Sequence, residues 1–118
     1  DCSGSVIDVT LSEIKLCDAA WGTALQGTGV EVPTLAEVFD TIDGPINVEI
    51  KSDNVGADYT AAHIAERVLT VISDAGAAAR VVISSFSLSV VVMPSCINGR
   101  TLIVYASSTG SGVPAGMT

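Results

Sequence analysis

Ile46-Asn47-Val48-Glu49-Ile50-Lys51 is the stretch on which the reading of this chain turns. Ile46, Val48 and Ile50 alternate with Asn47, Glu49 and Lys51, the period-2 pattern of a β-strand. One face is aliphatic and can pack against helices. The other carries an amide, a carboxylate and an amine, each step about 7 Å from the last at a rise of roughly 3.3 Å per residue. Helical patterns flank this strand on both sides, so burial on both faces is expected. Charges there are costly unless they are paired or bind something. Glu49 and Lys51 are therefore the candidate functional residues.

The surrounding segments set the class. Thr10-Leu11-Ser12-Glu13 has the spacing of a capping box and predicts a short helix with Leu11, Ile14 and Leu16 or Cys17 inward. Thr34-Leu35-Ala36-Glu37 repeats the pattern after Pro33. Leu35, Val38, Phe39 and Ile42 follow at helical spacing, up to Gly44-Pro45. Ser52 to Asp58 reads as a loop containing Asp53, Asn54 and Asp58. A longer helix is expected from about Tyr59 to Ala75, with Ala61, Ile64, Ala65, Val68, Leu69 and Ile72 on one face and Gly76 as its stop. Arg80 to Ser84 and Thr101 to Tyr105 read as further strands. Phe86 to Val92 fits neither pattern cleanly. From Ala106 the chain is rich in Ser and Gly. Strands alternating with helices predict an α/β class with a parallel sheet.

Composition narrows the partners. The 118 residues are 48% hydrophobic and 15% charged, enough for one domain with a core and too apolar for disorder over most of the length. A net charge of −8 with five Lys and Arg argues against nucleic acid and against an acidic membrane surface. No apolar run is long enough to cross a bilayer. No secretory leader is read at the start, where Asp1 stands first. Cys2, Cys17 and Cys96 are odd in number and widely spaced, which reads as thiols rather than a disulfide framework and leans to the cytoplasm. Glu13 and Glu37 read as helix caps. His63, with Glu66 and Arg67 three and four residues on, reads as a solvated helix residue.

Taken together, four segments resemble the glycerophosphodiester phosphodiesterases. Gly4-Ser5-Val6-Ile7-Asp8-Val9-Thr10-Leu11-Ser12-Glu13 is similar to that family's Gly-x-Val-x-Asp-Leu-Thr-Leu-x-Glu stretch. Val32-Pro33-Thr34-Leu35-Ala36-Glu37-Val38 is similar to its Ile-Pro-Thr-Leu-x-Glu-Val turn and helix. Ile46 to Lys51 resembles its Leu-Asn-Ile-Glu-Ile-Lys third strand. Val81-Val82-Ile83-Ser84-Ser85-Phe86 resembles the Val-x-Ile-x-Ser-Phe end of its fourth. The likeness covers residues 3 to 86 closely and the rest loosely. Cys17-Asp18-Ala19-Ala20 departs from the family's Leu-Asp-Ala-Gly.

The resemblance implies a partial TIM (β/α)8 barrel, roughly strands three to five, over residues 1–105, with 106–118 a tail or a truncated continuation. A whole barrel takes about 250 residues. It further implies cleavage of glycerophosphodiesters to sn-glycerol 3-phosphate and an alcohol, with a divalent cation, Ca2+ or Mg2+, held by carboxylates. Glu49 matches the third-strand metal ligand. Lys51 matches the neighbouring lysine, a charge partner for phosphate or for the metal-bound carboxylates. The His-Arg-Gly, Glu-Asn-Thr, Glu-x-Asp and His-Asp motifs that carry the family's general acid, general base and remaining ligands are not in these 118 residues. No catalytic residue is therefore assigned here, and the chain by itself is expected not to turn over substrate. A phospholipase D-like toxin of the same barrel superfamily and a degenerate barrel used for binding or scaffolding are the competing readings.

Overall fold

The computed structural model describes residues 2–51, 60–85, 96–97, 100–101 and 104–106. The loop expected at Ser52 to Asp58, the segment Phe86 to Val92 and the tail from 107 onward lie outside the described residues. The chain forms two compact units, 1–43 and 44–118.

The first unit is built from caps and turns. A 3-10 turn at Val6–Asp8 leads to α1 (Leu11–Lys15), and α2 (Leu35–Thr41) follows after a long loop. Both expected capping boxes form. The Thr10 N–H donates to Glu13 Oε2 at 2.7 Å, and the Glu13 N–H returns a bond to Thr10 Oγ1 at 3.3 Å. Thr34 and Glu37 repeat this at 2.7 and 3.2 Å. These exchanges satisfy N–H groups that no helical carbonyl can reach. The inward positions expected on α1 are met in part: Ile14 and Cys17 are half-buried, whereas Leu11 and Leu16 are exposed. A helix of five residues turns too little surface toward a core, and the buried apolar residues of this unit are Ala20 and Phe39.

A disulfide between Cys2 and Cys17 corrects the thiol reading. The turn at Val6–Asp8 and the N-cap at Thr10 fold the chain back, so the two Cα atoms stand 5.7 Å apart across 15 positions. Spacing along the sequence does not reveal a pairing that depends on this reversal. Closing a loop of that length restricts the unfolded chain by about 3 kcal/mol in the chain-entropy account. The cysteine argument for the cytoplasm falls with the thiol reading.

The second unit has the expected α/β order. β1 (Ile46–Ile50), α3 (Ala61–Asp74) and β2 (Val81–Ser85) come first. β3 (Cys96–Ile97), β4 (Arg100–Thr101) and β5 (Val104–Ala106) follow. β1, β2 and β5 make a parallel sheet in that order. The third strand expected at Thr101 to Tyr105 is divided. Arg100–Thr101 pairs antiparallel with Cys96–Ile97, and Val104–Ala106 pairs with β2. Asn98-Gly99, a dipeptide suited to a two-residue hairpin connection, stands between the antiparallel pair in the sequence.

Burial follows the two periodicities. Ile50, Val81 and Ile83 are buried along the sheet, and Ala65 and Ile72 along α3, which lies against β1. Thr60 caps α3 through the His63 N–H. Gly76 ends the helix at φ +62°, with its N–H donating to the Ser73 carbonyl and the Ala77 N–H to the Ile72 carbonyl. That pair of bonds is the Schellman arrangement. A Cβ at Gly76 would meet nothing within 4 Å, so the demand is purely conformational. Replacing Gly76 by Ala should lower the unfolding free energy by about 1 kcal/mol. Denaturant titration followed by helical circular dichroism reads this out, and an unchanged midpoint would refute the assignment.

Candidate functional site

The pairing of β1 with β2 fixes which side chains share a face. Ile46 lies opposite Val81, Val48 opposite Ile83 and Ile50 opposite Ser85. These alternate with Asn47 opposite Val82 and Glu49 opposite Ser84. The first set is the buried or half-buried one. In the second, Asn47, Glu49 and Val82 are exposed and Ser84 is half-buried. Burial of β1 on both faces is thus not observed. α3 covers one face, and among the described residues no second layer covers the other.

Glu49 therefore stands on an open sheet face at the second-last position of an edge strand, and Lys51 follows just beyond the strand end, also exposed. This is the C-terminal end of a parallel sheet, where α/β folds place their sites. Ser85, the last residue of β2, belongs to the opposite face. It is buried at 3% exposure and its hydroxyl donates to the Ile50 carbonyl at 2.8 Å. It ties the end of β2 to the end of β1. His63 is exposed on α3, as expected for a solvated helix residue. Phe86, Asp53, Asn54 and Asp58 lie outside the described residues.

Among the described residues no three His, Cys, Asp or Glu side chains come together in a way that would hold a metal ion. A calcium ion takes six to eight oxygen ligands and magnesium about six. Glu49 by itself does not supply such a group.

A second arrangement of charge lies in the first unit. Lys15, in the last turn of α1, donates to Glu37 Oε2 at 2.6 Å and reaches Glu31 at 3.6 Å. The same Glu37 oxygen accepts the Thr34 N–H. One carboxylate oxygen thus joins the end of α1 to the start of α2. The Lys15 ammonium, then the Thr34 N–H and hydroxyl, hold the Glu37 carboxyl down from 4.5 to about 2. Glu37 in turn raises the Lys15 ammonium above its ordinary value. The Thr10 N–H, followed by its hydroxyl, lowers Glu13.

Asp18 organises the loop after α1, a role that sequence reading missed. Its Oδ1 accepts from the Ala20 N–H at 2.9 Å and its Oδ2 from the Gly27 N–H at 2.8 Å. Asp18 also forms a β-bridge with Glu31. A short polar side chain before two alanines carried a turn signal, but the nine-residue reach to Gly27 did not show in the sequence. Lys15, Cys17, Asp18, Trp21, Gly27 and Glu31 are among the residues lining a groove of about 480 Å³ in this loop.

The described sheet thus presents a carboxylate and an amine at the C-terminal end of its first strand, where α/β folds place their sites. The profile of the glycerophosphoryl diester phosphodiesterase family matches residues 1–104, and the chain belongs to that family. Members of the family are generally metal-dependent. A curated relative named glycerophosphodiester phosphodiesterase, from Caldanaerobacter subterraneus subsp. tengcongensis, is 39% identical over 87 residues. The alignment takes in 71% of this chain and 34% of the relative, so the chain spans about a third of that protein. No solved structure matches.

The Lys15–Glu37 contact has a definite pH signature. Because the folded value of Glu37 is lowered, its contribution is present in full above pH 4.5 and is lost as pH falls toward about 2. Glu37 is exposed and Lys15 half-buried, so salt weakens the contact. Trp21, the single tryptophan, reports on this unit. In fluorescence-detected melts, Glu37→Gln should lower Tm at neutral pH and converge on the parent chain at the acid end, with the gap shrinking in high salt. A gap of constant size across that range would refute the assignment.

Proposed function

We propose that this chain is the middle portion of a metal-dependent glycerophosphodiester phosphodiesterase that releases sn-glycerol 3-phosphate and an alcohol, and that it is inactive alone. Residues 1–105 then belong to the barrel, with β1, β2 and β5 as its third, fourth and fifth strands. The observation that carries this reading is Glu49 on the open face of a strand matching the family's third, with Lys51 at the strand end. Strand neighbours that follow chain order, all parallel, are what a barrel wall requires, and they support it. So does the family match together with the one-third span of the relative.

In this reading Glu49 is one of several carboxylate ligands to a calcium or magnesium ion. The other ligands and the two histidines come from barrel sequence beyond these 118 residues. Lys51 lies beside that centre as a cation that balances the charge of the phosphodiester. The open face of β1 and β2 becomes the lining of the closed barrel, which explains why it carries Asn47, Glu49 and Ser84 rather than an aliphatic stripe.

The test uses the isolated chain and a chimera in which this chain replaces the corresponding segment of the Caldanaerobacter relative. The isolated chain should give no metal-dependent turnover of a glycerophosphodiester. The chimera should turn over, and Glu49→Ala within it should lower kcat/KM by about 100-fold or more, beyond what loss of an outer-shell partner costs. Robust turnover by the isolated chain would overturn the fragment reading. A chimera indifferent to Glu49→Ala would overturn the ligand assignment. A folded chimera with no turnover would favour a non-catalytic module.

A further inference from the structure

We propose that the Cys2–Cys17 disulfide is a redox-cleavable latch that holds residues 2–10 and the groove wall beside them in place. Three observations converge on it. Residues 2 to 10 are exposed along their whole length. Among the described residues, the Asp8 N–H donates to the Ser5 carbonyl, a bond internal to this segment. The segment is thus anchored at one end by the Thr10 cap and at the other by the bond to Cys17. The first unit has little core to replace that anchor, its buried apolar residues being Ala20 and Phe39.

Cys17 also belongs to the groove. It lines that space with Lys15, Asp18, Trp21 and Glu31, and its sulfur lies 3.6 Å from the Glu13 carbonyl at the start of α1. Opening the bond frees residues 2–9 and leaves a thiol at the groove wall. Cys2 is exposed, so an attacking thiolate has access to the bond.

The chemistry balances with a dithiol partner. A thiolate of the partner attacks one sulfur of Cys2–S–S–Cys17, the sulfur–sulfur bond breaks, and a mixed disulfide forms. The partner's second thiol then displaces the cysteine. Two protons and two electrons pass to Cys2 and Cys17, and the partner leaves as a disulfide. Formation of the latch is the reverse, with a disulfide as oxidant. The latch is independent of the phosphodiesterase reading, since neither cysteine belongs to the β1 site.

Hydrogen exchange read by mass spectrometry, on the 118-residue chain carrying Cys96→Ser to prevent mispairing, tests this with and without dithiothreitol. Without reductant the chain should show no free thiol under denaturing conditions, because the two remaining cysteines are bonded to each other. With reductant, exchange in residues 2–17 should rise by about tenfold or more while residues 61–85 keep their protection. Reoxidation should restore the original pattern. A second variant, Cys2→Ser with Cys96→Ser, should show the fast pattern without reductant. Two free thiols in the unreduced chain, or unchanged exchange on reduction, would overturn the proposal. So would loss of protection across residues 61–85, which would make the bond a constraint on the whole fold.

Discussion

The in-register parallel pairing of β1 with β2 is the constraint on which the second unit and the candidate site both depend. Side chains alternate along a strand, so a slip of one residue would exchange the two faces. In the observed register Ile50, Val81 and Ile83 are buried, and Glu49 with Ser84 takes the other face. The apolar set is large enough to decide the matter, since fully burying one Val or Ile side chain is worth about 1.5–3 kcal/mol. Ser85 fits the same scheme. It sits at a buried position, yet its hydroxyl has an acceptor in the Ile50 carbonyl, so no polar group is stranded. The functional candidate is therefore positioned by the hydrophobic set of the same two strands.

The first unit rests on different physics. Among its described residues the buried apolar side chains are Ala20 and Phe39, and many large apolar side chains, among them Val6, Leu16, Trp21 and Leu25, stand exposed. What organises it is directional: two capping boxes, the double acceptance by Asp18, the Lys15–Glu37 contact and one disulfide. Exposed ion pairs contribute little each, and capping typically contributes about 1 kcal/mol. The cross-link acts on the unfolded chain instead, and its effect does not depend on a core. A unit held this way responds to pH, salt and redox state more than one held by burial.

These two kinds of physics also explain what could be read from the sequence. Both capping boxes, the β1 strand, the apolar face of α3 and the Gly76 stop were legible because each is a local pattern whose partners lie within a few residues. The family likeness was legible because four such patterns occur in order. The disulfide, the Asp18 link to Gly27 and the Ser85 link to Ile50 were not, because each joins residues that only the folded chain brings near. The exposed second face of β1 was misread for a related reason. Period-2 alternation says that two faces differ, and only the neighbouring layers decide whether the polar one is covered. The antiparallel pairing of Cys96–Ile97 with Arg100–Thr101 is a different case, since a local turn signal, Asn98-Gly99, stands between them in the sequence.

The same reasoning accounts for a conserved-looking motif without a complete site. A strand can present Glu49 and Lys51 at a sheet edge through local pattern and register alone. A divalent-cation site needs several oxygen donors converging on one point, and in a barrel those come from the ends of different strands. Among the described residues no such convergence of three donors occurs. Glu49 and Lys51 are for that reason informative about family and strand position, which local pattern alone can carry. The exposed polar face on which they stand is costless in water, whereas burying it would require a partner for each of its polar groups.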